Sequence, residues 1–239
     1  VPRISYEEML ELAAAGAKVL HVRCVEYARR ANLPIHVRSS FSDREGTWVV
    51  TMNDPLPAAA NPAEGATVEQ PIIAGAALDL NDCKITAIGV PDRPGEAAQI
   101  FRAVAEAGVN VDMIVQNVSQ GDTGRTDVTF TSPLASREAA ITALKRVQGQ
   151  IGYQELAYDD GIAKVSLIGA GMRSDPGVAA TFFRAMADAG INISMITTSE
   201  IRISVVTDRD VASEAVQALH TAFGLDVDGE AVVYGGTGR

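Results

Sequence analysis

Apolar positions change period along this chain in a way that maps its elements. Between residues 96 and 106 the apolar side chains Ala97, Ile100, Phe101, Val104 and Ala105 recur at i, i+3 and i+4, which predicts an amphipathic helix. The period then drops to two: Val109, Val111, Met113 and Val115 alternate with Asn110, Asp112, Ile114 and Gln116, as on a half-buried strand. The same change occurs again further on. Ala179, Phe182, Phe183, Met186 and Ala187 have helical spacing, and Ile191, Ile193 and Met195 then alternate with Asn192, Ser194 and Ile196. The segments "AEAGVNVDMI" (105–114) and "ADAGINISMI" (187–196) are nearly one phrase written twice, with Gly108 and Gly190 82 residues apart. Each glycine stands where a left-handed helix stop is expected.

Extended outward, each copy opens with an apolar strand, "KITAIGV" or "KVSLIGA", which runs into a Pro-Gly turn. Each continues through helix and strand to a further strand ("TDVTFT", "IRISVV") and a second amphipathic helix. Ile141, Leu144 and Val147 mark that helix in the first copy, and Ala215, Val216 and Leu219 mark it in the second. Last strands are expected at "YQELAY" and "EAVVYG". The order βαββαβ predicts an α+β fold of two tandem ferredoxin-like units, spanning 72–158 and 159–239.

Ahead of them, residues 54–71 contain four prolines and few large apolar side chains, so they read as an extended linker. Residues 1–53 form a shorter piece. Ser5 and Glu8 make a capping-box pattern before "YEEMLELAAAG", Gly16 is a helix stop, and "CVEYARRA", "PIHVR" and "TWVV" suggest a helix and two strands. So short a piece buries little surface alone and calls for a larger partner domain.

Composition narrows the function classes. The formal net charge of -10, from 20 basic and 30 acidic side chains without a basic stripe, argues against nucleic acid or an anionic membrane surface. Two cysteines, Cys24 and Cys83, fit a reducing cytoplasm. No apolar run reaches membrane-span length. The chain opens on Val1 rather than Met, as a processed or partial sequence would.

His21, His36 and His220 lack metal-ligand spacing, so no metal site is expected. "GAGMRSDPG" lacks the spacing of a dinucleotide loop, which leaves a nicotinamide oxidoreductase the weakest reading. Trp48 and the phenylalanines are expected in the core.

The repeated turns "PDRPGEA" and "GMRSDPGVA" carry the candidate chemistry. Free N–H groups at a helix start favour a carboxylate, while the following Asn/Asp strand supplies acceptors for an ammonium. Together they suit a zwitterionic amino acid.

At these residues the chain resembles the aspartokinases, specifically the actinobacterial type with lysine- and threonine-sensitive regulation. The resemblance is carried by "SYEEMLELAAAGAKVLH", "PIHVRSSF", "DRPGEAAQIFRAVAEAGVNVDMIVQNVS", "KVSLIGAGMRSDPGV" and "TSEIRISV". It implies that the tandem units are ACT domains, that residues 1–53 are the end of an amino-acid-kinase catalytic domain, and that the strand "IIAGAAL" pairs into the second unit. It further implies ATP, with Mg2+, as phosphoryl donor to aspartate in the complete enzyme, lysine and threonine as effectors, and a homodimer formed through the ACT units.

Residue by residue, the resemblance makes Lys18 and Val19 nucleotide contacts. Asp92, Asn110, Val111, Asp112 and Gln116 match effector positions of the first repeat, and Ala97, Ser119 and Thr129 match positions tied to feedback sensitivity. Val178, Ala179, Asn192, Ile193, Ser199 and Glu200 match effector positions of the second. The family's Lys-Gly-Gly phosphate loop is missing, so no catalytic residue is assigned and the chain is expected to sense without catalysing. The alternative is a stand-alone amino-acid sensor docking on a separate catalytic chain. Residues 1–50 speak against it, because a dedicated sensor has no need of them.

Overall fold

The computed structural model describes residues 1–51, 73–117, 123–169, 175 and 177–226. The linker 54–71, Ser119 and the strand expected at "EAVVYG" lie outside them.

Capping chemistry starts the N-terminal unit. Ser5 accepts the Glu8 N–H at 3.1 Å while the Glu8 carboxylate takes the Ser5 N–H at 3.0 Å, a reciprocal box that fixes where α1 (Tyr6–Ala14) begins. Gly16 ends the helix with φ +100°, and a second constraint acts there: a Cβ would meet the Leu78 carbonyl oxygen at 2.7 Å. Helix α2 (Val22–Arg30) and strands β2 (Ile35–Val37) and β3 (Thr47–Val50) match the apolar pattern. Strand β1 (Arg3–Ser5) was not legible in three residues; it pairs parallel with β3, giving the sheet order β1-β3-β2. The unit's core is small: Ile4, Tyr6, Met9, Val25 and Val49. Trp48 is only half-buried and stacks on His36 with ring centroids 3.8 Å apart, and Phe41 is exposed; both depart from the expected core placement.

The first repeat comprises β5 (Asp82–Pro91), α3 (Glu96–Glu106), β6 (Ile114–Gln116), β7 (Arg125–Pro133), α4 (Arg137–Ile151) and β8 (Glu155–Asp159), with sheet order β6-β7-β5-β8. Its core centres on Ile85, Ile100, Phe130 and Leu144, all fully buried. The second repeat comprises β9 (Ile162–Ile168), α5 (Gly177–Asp188), β10 (Met195–Thr198), β11 (Arg202–Asp208) and α6 (Ala212–Ala222), around Leu167, Phe182, Val205 and Leu219. Its fourth strand is β4 (Gly75–Asp79), antiparallel to β9, in the order β10-β11-β9-β4. Sequence contiguity and sheet membership therefore part company, since β4 lies in the 72–158 span yet belongs to the second sheet.

Both alternating segments start later as strands than their pattern suggests, at Ile114 and Met195. The alternation is nonetheless real in burial: Val109 and Met113 are buried while Asn110, Asp112 and Ile114 face outward. Helices α3 and α5 end alike. Val109 N–H reaches the Val104 carbonyl (3.2 Å) and Ile191 N–H the Met186 carbonyl (2.9 Å), with Gly108 and Gly190 at φ +71° and +69°.

The short connections β4–β5 and β8–β9 each pass from one sheet to the other and so lock the repeats together. Met113, Ile162, Met195 and Val206 pack between the sheets. The N-terminal unit leans on the second sheet through Ala15, Ala77 and Ile168, and through an ion pair from Arg202 to Glu11 at 3.1 Å.

Candidate functional site: the corner of the first repeat

Strand β5 ends in Val90 and Pro91, turns through Asp92–Gly95, and enters α3. Gly95 adopts φ +102°, a conformation that side-chain-bearing residues rarely hold, and space lies open where its Cβ would project. Between this turn, the start of α3 and strands β6 and β7 lies a cavity of about 350 Å³. That is within the size range of small-ligand sites. Its polar lining comes from Asp92, Arg93, Glu96, Gln116 and Thr126, and its apolar lining from Val90, Val128 and Ala97, among others. The N-terminal end of the α3 dipole points into this space.

Of the expected effector residues, Asp92, Ala97 and Gln116 line the cavity together. Asn110 is exposed and Val111 packs on the first core, and neither lines it. Thr129 shares a hydroxyl hydrogen bond with Thr86 at 3.0 Å, on the strand residues that alternate with cavity-lining Val128.

Asp112 is already engaged. Its Oδ2 accepts Lys164 Nζ at 2.6 Å, and Asp82 Oδ2 accepts the same ammonium at 2.8 Å, with Asp79 3.8 Å away. The Lys164 side chain is 4% exposed. Burial opposes its charge, yet the hydrogen bonds it donates to Asp112 and Asp82 outweigh that, and its pKa is raised above the ordinary lysine value. The acceptor assigned to a ligand's amine is thus held by an amine of the same chain, and a ligand at Asp112 would have to displace it.

The second corner is described only in part, because residues 170–174 and 176 fall outside the described residues. Val178 is 5% exposed in the helix–sheet core, and its N–H is donated to the Asp175 carbonyl at 3.2 Å. Neither its side chain nor its amide is open to a ligand here, which departs from the role expected of it. Ala179, Asn192, Ser199 and Glu200 are exposed and Ile193 is half-buried. Lys18 and Val19 stand exposed on the turn after α1. Among the described residues no group of three His, Cys, Asp or Glu side chains gathers as a metal site. Lys18 alone does not make a Mg·ATP site.

Sequence reasoning missed Arg93, Glu96 and Lys164. A signal existed for each: Arg93 and Glu96 flank the very Pro-Gly turn singled out, and Lys164 repeats Lys84 at the head of its strand.

Two stretches match models of the ACT domain, residues 84–149 and 165–223. The chain is 55% identical to the aspartokinase of Mycolicibacterium smegmatis over 236 residues, covering 99% of this chain and 54% of that protein. It is 44% identical, with a TM-score of 0.60, to the crystal structure of the regulatory subunit of aspartate kinase from Thermus thermophilus, covering 64% of this chain and 99% of that one. The chain belongs to the aspartokinase family.

The aspartate kinase of Synechocystis extends the likeness to the N-terminal unit, at 36% identity and a TM-score of 0.65, over 96% of this chain and 39% of that one. The chain spans about half the length of the curated aspartokinases it matches, and the part it carries includes the regulatory ACT pair. No helix among the described residues is long and apolar enough to cross a membrane.

Proposed function

We propose that this chain is the effector-sensing portion of an aspartokinase and that a free α-amino acid, threonine or lysine, occupies the corner of the first ACT repeat. The observation that carries this reading is the open cavity at the Pro-Gly turn, where Asp92, Arg93 and Gln116 converge on a helix start. A zwitterion needs both signs of charge at short range, and that lining supplies them. Occupancy favours one arrangement of paired ACT units over another, in a cytoplasmic homodimer, and inhibition of the complete enzyme equals the ligand's differential affinity for the two.

In the complete enzyme this sensing governs ATP-dependent phosphorylation of the aspartate side chain. The chain alone does not catalyse it. The N-terminal unit supports attachment to a larger catalytic half rather than a free-standing sensor: it exposes the large apolar side chains Tyr27, Leu33 and Phe41 at 60 to 71%, surface that a neighbouring domain would cover.

Titration calorimetry of the purified chain with L-threonine, L-lysine and both together tests the proposal. Saturable binding of at least one is expected, with no ATP turnover in the presence of aspartate. No heat from either, or measurable turnover, would overturn it.

A further inference from the structure

Glu96 is the first residue of α3, and its side chain is only 4% exposed. Burying a carboxylate is costly unless hydrogen bonds and nearby positive charge hold it. Here Arg93 Nε and Gln99 Nε2 (3.1 Å) both donate to it, and the helix start lies beside it. Arg93 is the opposite case: its side chain is 64% exposed and lines the mouth of the cavity. Only Nε is tied, and neither terminal nitrogen has a partner among the described residues. A guanidinium is planar, so anchoring Nε on a buried carboxylate sets the plane and leaves the two-nitrogen end free as a fork that matches a carboxylate.

Resting on the reading that this corner binds an α-amino acid, we propose that Arg93 takes the ligand's α-carboxylate. Glu96 acts behind it as a positioning residue. Asp92, whose carboxylate has no partner among the described residues, faces the ammonium. The first corner is therefore selective for zwitterionic amino acids over amines that lack the acid. Among the described residues the second repeat carries different side chains at this turn. Asp175 stands at the position of Arg93, with its Oδ1 accepting the Gly177 N–H at 2.7 Å, and Val178 stands at the position of Glu96.

The test is calorimetry on the full chain with L-threonine against L-threoninamide and L-lysine against L-lysinamide. For the acid that binds, wild type should prefer it over its amide by about tenfold or more, the scale of one charge-assisted contact. Arg93→Met should reduce that preference to less than about threefold while leaving amide affinity in place; because it also takes a donor from the buried Glu96 carboxylate, a lower melting temperature is expected, and binding is measured well below it. Retention of the full preference in Arg93→Met would overturn the proposal and return the carboxylate to the α3 backbone N–H groups. Wild type that binds neither acid nor amide is a different result, which defeats the reading of the corner itself. Glu96→Ala should alter the acid-to-amide ratio only when Arg93 is present; an equal change in the Arg93→Met background removes the positioning role.

Discussion

Lys84 and Lys164 hold the same place in the two repeats, and they have opposite fates. Each is early in the first strand of its sheet, opposite an aspartate on the fourth strand: Asp159 for Lys84, Asp79 for Lys164. Lys84 is 23% exposed, with that single partner among the described residues, 3.6 Å away. Lys164 is 4% exposed and adds Asp82 and Asp112, both reaching across from the first repeat. The positions that answer Asp82 and Asp112 in the other copy are Ile162 and Ser194, which offer Lys84 no charge. Duplication kept the scaffold, namely the cross-strand pair, the glycine helix stops and the hydroxyl pairs. Divergence at a few polar positions made one lysine a rim charge and the other a tie between domains.

The largest expected effect tests that asymmetry directly. Lys164→Met strands three carboxylates around an apolar side chain and should destabilise the chain by about 3–5 kcal/mol, the cost of removing one partner of a buried ion pair. Lys84→Met removes a part-exposed pair and should cost no more than about 1 kcal/mol. Urea denaturation of both variants measures the gap; equal losses would erase the distinction.

The pH dependence sharpens it. Because the folded pKa of Lys164 is raised, its contribution is fully present below the unfolded lysine value of about 10.4, and it is lost as pH rises through the folded value. The stability difference between wild type and Lys164→Met should therefore be flat from pH 7 to 9 and shrink above pH ~10. A difference that grew with pH would contradict the assignment.

Much of this was legible before any coordinates, and the reason differs by element. The helices and the repeat were readable because their apolar spacing is local. The β1 strand was not, because three residues with a parallel partner 45 positions away carry no periodic signal. The exchange of β4 into the second sheet came only through family resemblance, since no local pattern says which of two similar sheets a strand joins. At the corner, Asp92, Ala97 and Gln116 were identified and do converge. Asp112 was identified for the same acidic strand character, but its partner Lys164 lies 52 residues on. A carboxylate's availability depends on such distant neighbours, and a sequence does not show who arrives first.

The hydroxyl pairs offer the next comparison down in size. Thr86 and Thr129 meet at 3.0 Å and are half-buried; Ser166 and Ser204 occupy the matching sites at 2.7 Å and are fully buried. Removing one partner strands the other in proportion to burial. Ser166→Ala should cost about 1–3 kcal/mol, whereas Thr86→Val, with water close at hand for Thr129, should cost about 1 kcal/mol or less. Thermal melts of the two variants decide it, and a larger loss for Thr86→Val would mean that burial is not what separates the pairs.

The smallest expected effect concerns Tyr153, which enters the first core just ahead of β8. Ile73 fills the matching place ahead of β4 in the second core. The tyrosine is 3% exposed, and its hydroxyl has no hydrogen-bond partner among the described residues. Burial pushes its pKa up, so the phenol stays neutral and its oxygen contributes a desolvation cost without a return. Ile73 shows that the position works without a polar atom. Tyr153→Phe keeps the ring that packs on the core and deletes only the unpaired group, so it should be neutral or stabilising by up to about 1 kcal/mol. Denaturation midpoints of wild type and variant, compared at equal m-value, are the measurement. A loss above about 1 kcal/mol would mean that the hydroxyl is bonded in solution, and that the first core, unlike the second, depends on a polar contact at its edge.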